Sequence, residues 1–104
     1  MRKVSKETVQ AFKRKERKKV GNTFTRDGYL MLHGNLIAEH DAGMLTIYDA
    51  GWQTPTTKER LNAVLQGFGI PVRLYQEKGM WFTWNYQTQI KGLWEGKETF
   101  KIEF

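Results

Sequence analysis

Along most of this chain apolar and polar positions alternate with the period of two that marks strands. Two stretches follow the helical spacing of three and four. The first helical stretch opens at Ser5, a residue able to cap a helix N-terminus, and the pattern predicts a helix to about Val20 with Gly21 as the residue just past its end. Val9, Phe12, Glu16 and Val20 share one face of that helix, so its apolar stripe is thin and predicts only light docking. Short strands follow. Thr23–Arg26 and Tyr29–Leu32 flank Asp27-Gly28, and Leu36–His40 and Met44–Asp49 flank Asp41-Ala42-Gly43. X-Gly dipeptides between alternating runs are strong hairpin signals.

The second helical stretch sits at a polar corner, Gly51-Trp52-Gln53-Thr54-Pro55-Thr56. Thr56 followed three residues later by Glu59 has the form of a capping box. Leu61, Val64, Leu65 and Phe68 then give one apolar face, and Gly67 and Gly69 end the helix. Beyond it, Val72–Glu77 and Met80–Tyr86 flank Lys78-Gly79, and Ile90–Glu95 and Glu98–Phe104 predict a last hairpin around Gly96-Lys97. Strand runs separated by a single helix predict an α+β fold. Its elements are a basic N-terminal helix over residues 1–21 and one domain over 22–104 with an antiparallel meander, a central packed helix and C-terminal antiparallel strands.

Composition adds a size limit and a charge asymmetry. The 104 residues suffice for one ordinary domain, and four Trp, six Phe and four Tyr supply core bulk. With no Cys the chain suits a reducing compartment, and no apolar run approaches a membrane span or a signal peptide. A soluble protein of the cytoplasm with no membrane partner is therefore expected. Residues 1–20 hold nine basic side chains against two acidic, net +7, whereas the other 84 hold eight against nine, net −1. A polyanion is the partner such a segment suits, with Lys6, Lys13, Arg14, Lys15, Arg17, Lys18 and Lys19 as the contacts. A solvated helix face would produce the same composition.

Candidate chemistry is sparse. Ser5 is the sole serine, there is no thiol, and no Gly-x-Ser-x-Gly elbow or phosphate-binding Gly-rich loop occurs. The expectation is a non-enzyme with no catalytic residue and no cofactor. His33 and His40, near Glu39 and Asp41, lack metal-ligand spacing, so no metal is expected either. The helix start offers a weaker possibility: Trp52, Thr54, Thr57, Lys58 and Arg60 could contact an anion or a base, since N-terminal N–H groups favour anions. The same residues could instead cap the helix and fill the corner. A second surface is suggested by Trp81-Phe82-Thr83-Trp84-Asn85-Tyr86 and Trp94, with Arg73 and Lys91 nearby; these rings could stack bases, form a protein contact, or simply be core.

The stretch Leu32-His33-Gly34-Asn35-Leu36-Ile37-Ala38, then Ala50-Gly51-Trp52-Gln53-Thr54, then Thr56-Thr57-Lys58-Glu59-Arg60-Leu61-Asn62-Ala63, resembles a group of small bacteriophage- and prophage-encoded proteins. In that group a His-Gly-Asn strand end, a short hairpin and Gly-Trp-x-Thr-x-Thr-Thr-Lys-x-Arg-Leu-Asn occur in the same order. The resemblance covers about residues 22–86; the basic segment and the tail after Tyr86 lie outside it. It implies a phage setting and assigns no activity. The leading expectation is a non-enzymatic accessory protein that binds DNA or RNA through its basic helix. The alternative is an inhibitor that docks on a host protein or a defence complex such as a CRISPR effector, with aromatics as the hot spot. A self-associating virion component is a third.

Overall fold

The computed structural model describes residues 3–102. Its meander is built from two-residue turns whose residues adopt the left-handed backbone that such turns demand. Asp27-Gly28, His33-Gly34, Ala42-Gly43 and Lys78-Gly79 all have positive φ at both positions, the type I′ signature. Thus β2 (Thr23–Arg26), β3 (Tyr29–Leu32), β4 (Asn35–Asp41) and β5 (Met44–Tyr48) form an unbroken antiparallel run, and His33-Gly34 is a true hairpin turn. Gly28 is held to glycine twice over. Its φ is +87°, and a Cβ there would lie 2.8 Å from the His40 carbonyl oxygen.

The N-terminal helix departs from its sequence expectation. Helix α1 spans Lys3–Lys13, so Ser5 lies inside it and does not cap it. It stops at Lys13 because the chain turns left-handed at Lys15 (φ 58°). The Glu16 N–H donates to the Ala11 carbonyl (2.9 Å) and the Lys15 N–H to that of Phe12 (3.1 Å), the paired bonds of a Schellman end. The chain then reverses into a strand, β1 (Lys18–Val20), and Gly21-Asn22 is a hairpin turn into β2. The single basic helix over 1–21 is therefore replaced by a short helix and an edge strand. Docking is firm where light contact was expected: Thr8, Val9, Ala11 and Phe12 are buried, Phe12 completely. The stripe reads as thin only when drawn to Val20; drawn to Lys13 it is dense. Glycine at 67 allows the close fit, since a Cβ there would run into Cγ1 of Val9.

Helix α2 (Pro55–Gly67) starts two residues earlier than the capping box suggests. Thr54 is the cap, extended at φ −107° and ψ 160°, and its hydroxyl accepts the Thr57 N–H at 3.2 Å. Proline decides the matter: it lacks an N–H, suits the first helical position, and forces the residue before it out of helical geometry. Glu59 then pairs with Arg60 at 2.9 Å.

The C-terminal strands also depart from expectation. Strands β6 (Val72–Glu77), β7 (Met80–Asn85) and β8 (Ile90–Leu93) form a three-stranded sheet. Strand β9 (Lys97–Lys101) leaves it and pairs with β5, completing a six-stranded sheet in the order β1-β2-β3-β4-β5-β9. The residues flanking Gly96-Lys97 are thus a crossover between sheets and no hairpin. In β9 the alternation holds, with Phe100 packed on the core and Thr99 exposed; Phe104 lies outside the described residues. The result is an α+β fold in which both sheets and both helices contribute to one core, centred on Phe12, Leu45, Ile47, Leu61, Leu65, Leu74 and Trp81.

Asp49, buried at the end of β5, is the joint between the sheets. One carboxylate oxygen accepts the Gly51 N–H (2.9 Å); the other accepts Gln53 Nε2 and the buried Trp94 indole N–H (both 3.0 Å). Its own N–H donates to the Gly96 carbonyl at 3.0 Å. Burial pushes the Asp49 carboxyl up, but the bonds from Gln53, Gly51 and Trp94 outweigh that and hold it below the ordinary carboxylate value.

Candidate nucleic-acid interface

Strand alternation gives the six-stranded sheet two unlike faces. The inner face carries Thr23, Thr25, Leu30, Leu32, His40, Leu45 and Ile47, all buried. The buried hydroxyls are satisfied: Thr25 Oγ1 donates to the Glu16 carbonyl (2.9 Å), and Thr23 Oγ1 accepts Arg60 Nε (3.1 Å). His40 lies edge-on to Phe12, with its Nε2 2.7 Å from the Phe12 carbonyl oxygen.

The outer face carries the other half of each alternation, and the registers lay it out in rows. Lys19, Phe24, Met31 and Leu36 are successive cross-strand partners. So are Arg26, Tyr29, Glu39, Thr46 and Thr99. Tyr48 opposes Lys97, and Met44 opposes Lys101. Tyr29 is 50% exposed; Phe24 and Tyr48 are half-buried. Cations frame these rings. The Arg17 guanidinium carbon lies 5.7 Å from the Phe24 ring centre and Lys97 Nζ lies 5.9 Å from that of Tyr48, both at cation–π range. Arg17, Lys19, Arg26, Lys97 and Lys101 are all exposed. Of the acids, Glu39 is half-buried and engages the Tyr48 hydroxyl, and Asp27 pairs with Arg26 at 3.0 Å.

The fold sorts the basic residues picked out by sequence. Lys13 Nζ donates to the Gly67 carbonyl at 2.8 Å, closing the end of α2. Lys15 pairs with Asp41 at 2.8 Å, and that bond holds the exposed Asp41 carboxyl below its ordinary value. Lys18 points to the helix side of β1, 4.0 Å from Glu7. Arg17 and Lys19 face outward on the sheet, while Lys6 and Arg14 are exposed on and just after α1. The seven do not form one stripe. Sequence reasoning missed Arg26, Lys97 and Lys101 and the rings Phe24, Tyr29 and Tyr48. The signal was present in the alternation of β2, but it reads backwards there: the threonines are inside and the phenylalanine and arginine outside.

At the helix start the proposed contacts are largely spent on the fold. The Thr54 and Thr57 hydroxyls bond each other at 2.9 Å, Thr57 is buried, and Arg60 reaches inward to Thr23 and Glu59. Lys58 is half-buried, and Trp52 is 59% exposed. The aromatic run of β7 divides by face. Trp81 is buried with Trp94, whereas Phe82 and Trp84 face outward with Tyr75; Tyr75 and Phe82 stack at 5.7 Å, and Lys91 Nζ lies 4.2 Å from the Phe82 ring. Arg73 lies across from Trp84 and Leu93 across from Phe82. Among the described residues no group of three His, Cys, Asp or Glu is placed to hold a metal, and no helix is long and apolar enough to cross a membrane.

The fold and these faces define a small two-sheet α+β protein that turns rings and cations outward from its strands. The chain belongs to a phage-encoded family, the Kyanoviridae Gp96 proteins, whose sequence model matches residues 1–101. The match takes in α1, β1, β8 and β9 as well as the central region. No curated protein and no solved structure matches the chain.

Proposed function

We propose that this phage protein is a non-enzymatic binder of nucleic acid, with phosphate contacts dominating and little sequence preference. The observation that carries the reading is the gathering of Arg17, Lys19, Arg26, Lys97 and Lys101 around Phe24, Tyr29 and Tyr48 on the outward sheet face. Two of these cations come from the basic segment, and the fold brings the other three to join them from β2 and β9. Contacts of this kind release counterions, so affinity falls steeply with salt.

For about five phosphates, log K should fall against log salt with a slope of about −3 to −5. Changing Lys19, Lys97 and Lys101 together to Ala should flatten the slope by about two. Lys18→Ala, on the helix side, should leave it unchanged. Absence of binding to any nucleic acid at low salt would end the reading.

A second reading, a phage inhibitor docked on a host protein, draws on the three-stranded sheet. Its outward face holds Tyr75, Phe82 and Trp84 beside the exposed Met80 and Leu93, the residue types enriched at hot spots. That reading requires a protein partner that survives nuclease treatment and is lost with Trp84→Ala.

A further inference from the structure

Resting on the nucleic-acid reading, we infer that the ligand is a single strand laid across the outward face of the six-stranded sheet, with its bases on Phe24, Tyr29 and Tyr48. Three features lead there.

The first is shape. Both helices lie against the inner side, and the turns of the meander have only two residues, so among the described residues neither helix and no turn of the meander covers this face. A duplex major groove of about 12 Å admits a helix or a two-stranded ribbon. Six strands at about 4.8 Å spacing make a surface about 24 Å across, which no groove accepts.

The second is the placing of the rings. Phe24 and Tyr48 lie on β2 and β5, three strand spacings or about 14 Å apart. Tyr29 stands on β3 between them, and Met31 and Leu36 continue the apolar row from Phe24. Stacking needs the π-face of a base, which a paired duplex conceals along its whole length and a single strand offers at every nucleotide.

The third is the charge pattern. Arg17 and Lys19 lie at the β1 edge, Arg26 at the end of the neighbouring β2 beyond the β1 ladder, and Lys97 and Lys101 at the β9 edge, while Glu39 sits in the middle of the central row. A phosphate is attracted to either rim and repelled from the centre. A base amino group is the complement of a central carboxylate, which accepts such hydrogen bonds. Rings and acid inside, cations outside, place bases over the sheet and the backbone along its margins.

The test is fluorescence anisotropy on the full chain with a labelled single-stranded oligonucleotide of about 20 nucleotides, and with its duplex, at the same salt. Single-strand binding should be at least about tenfold tighter. Tyr29→Ser and Phe24→Leu should each weaken it at least about fivefold while leaving the salt slope unchanged. Leucine keeps apolar volume at 24, so that variant reports on the ring with the fold intact. Equal or tighter duplex binding, or ring variants with unchanged affinity, would overturn the single-strand inference while leaving salt-dependent nucleic-acid binding standing. Failure to bind either form would remove both.

Discussion

Asp49 shows how much one residue can hold. Its carboxylate satisfies two side-chain donors and a backbone N–H, and the Trp94 indole N–H among them is buried. Asn in its place offers one acceptor oxygen and turns a donor toward donors. Asp49→Asn should therefore cost about 1–3 kcal/mol, read by denaturant unfolding at neutral pH. The sign with pH follows from the lowered native value. Asp49 stabilises fully above the ordinary value of 3.8, and that contribution is lost as pH falls through the native value below it. The cost of the Asn variant should thus shrink in strong acid; a pH-independent cost would show that the charge is not what holds the joint.

At the scale of elements, the hairpins were legible because X-Gly turns leave little choice of geometry. Strands β2, β3 and β6 were placed to the residue, and β4, β5 and β7 within a residue at each end. Two other errors share a cause. The end of α1 and the cap of α2 are both fixed by backbone geometry, a left-handed Lys15 and a proline after Thr54, where side-chain pattern points elsewhere. The pairing of β9 with β5 was out of reach because alternation gives a strand's faces and not its partner. Asn62 illustrates a link that no periodicity reveals. Its side-chain amide donates to the Leu74 carbonyl (2.9 Å) and accepts the Leu74 N–H (2.7 Å), fastening the middle of β6 to α2. Asn62→Asp keeps the acceptor but turns a carboxylate oxygen toward the carbonyl; in acid, where its protonated carboxyl can donate, it should destabilise less than Asn62→Leu, which strands both backbone groups at about 2–3 kcal/mol. Equal losses would mean that packing, and not the paired bonds, joins the two elements.

For the whole molecule, the basic segment that dominates the composition is divided by the fold. Lys13, Lys15 and Lys18 are tied to Gly67, Asp41 and Glu7, and Arg17 and Lys19 are delivered to the outward sheet face. There they meet residues from distant parts of the chain, which is why the face was invisible in sequence while its charge was not. The measurement that bears most directly on it is an NMR titration of the labelled protein with single-stranded oligonucleotide at low salt. Shifts should concentrate at Lys19, Phe24, Arg26, Tyr29, Thr46, Tyr48 and Lys97 and stay small at Tyr75, Phe82 and Trp84. Shifts confined to the exposed side of α1, or to the three-stranded sheet, would contradict the assignment of this face.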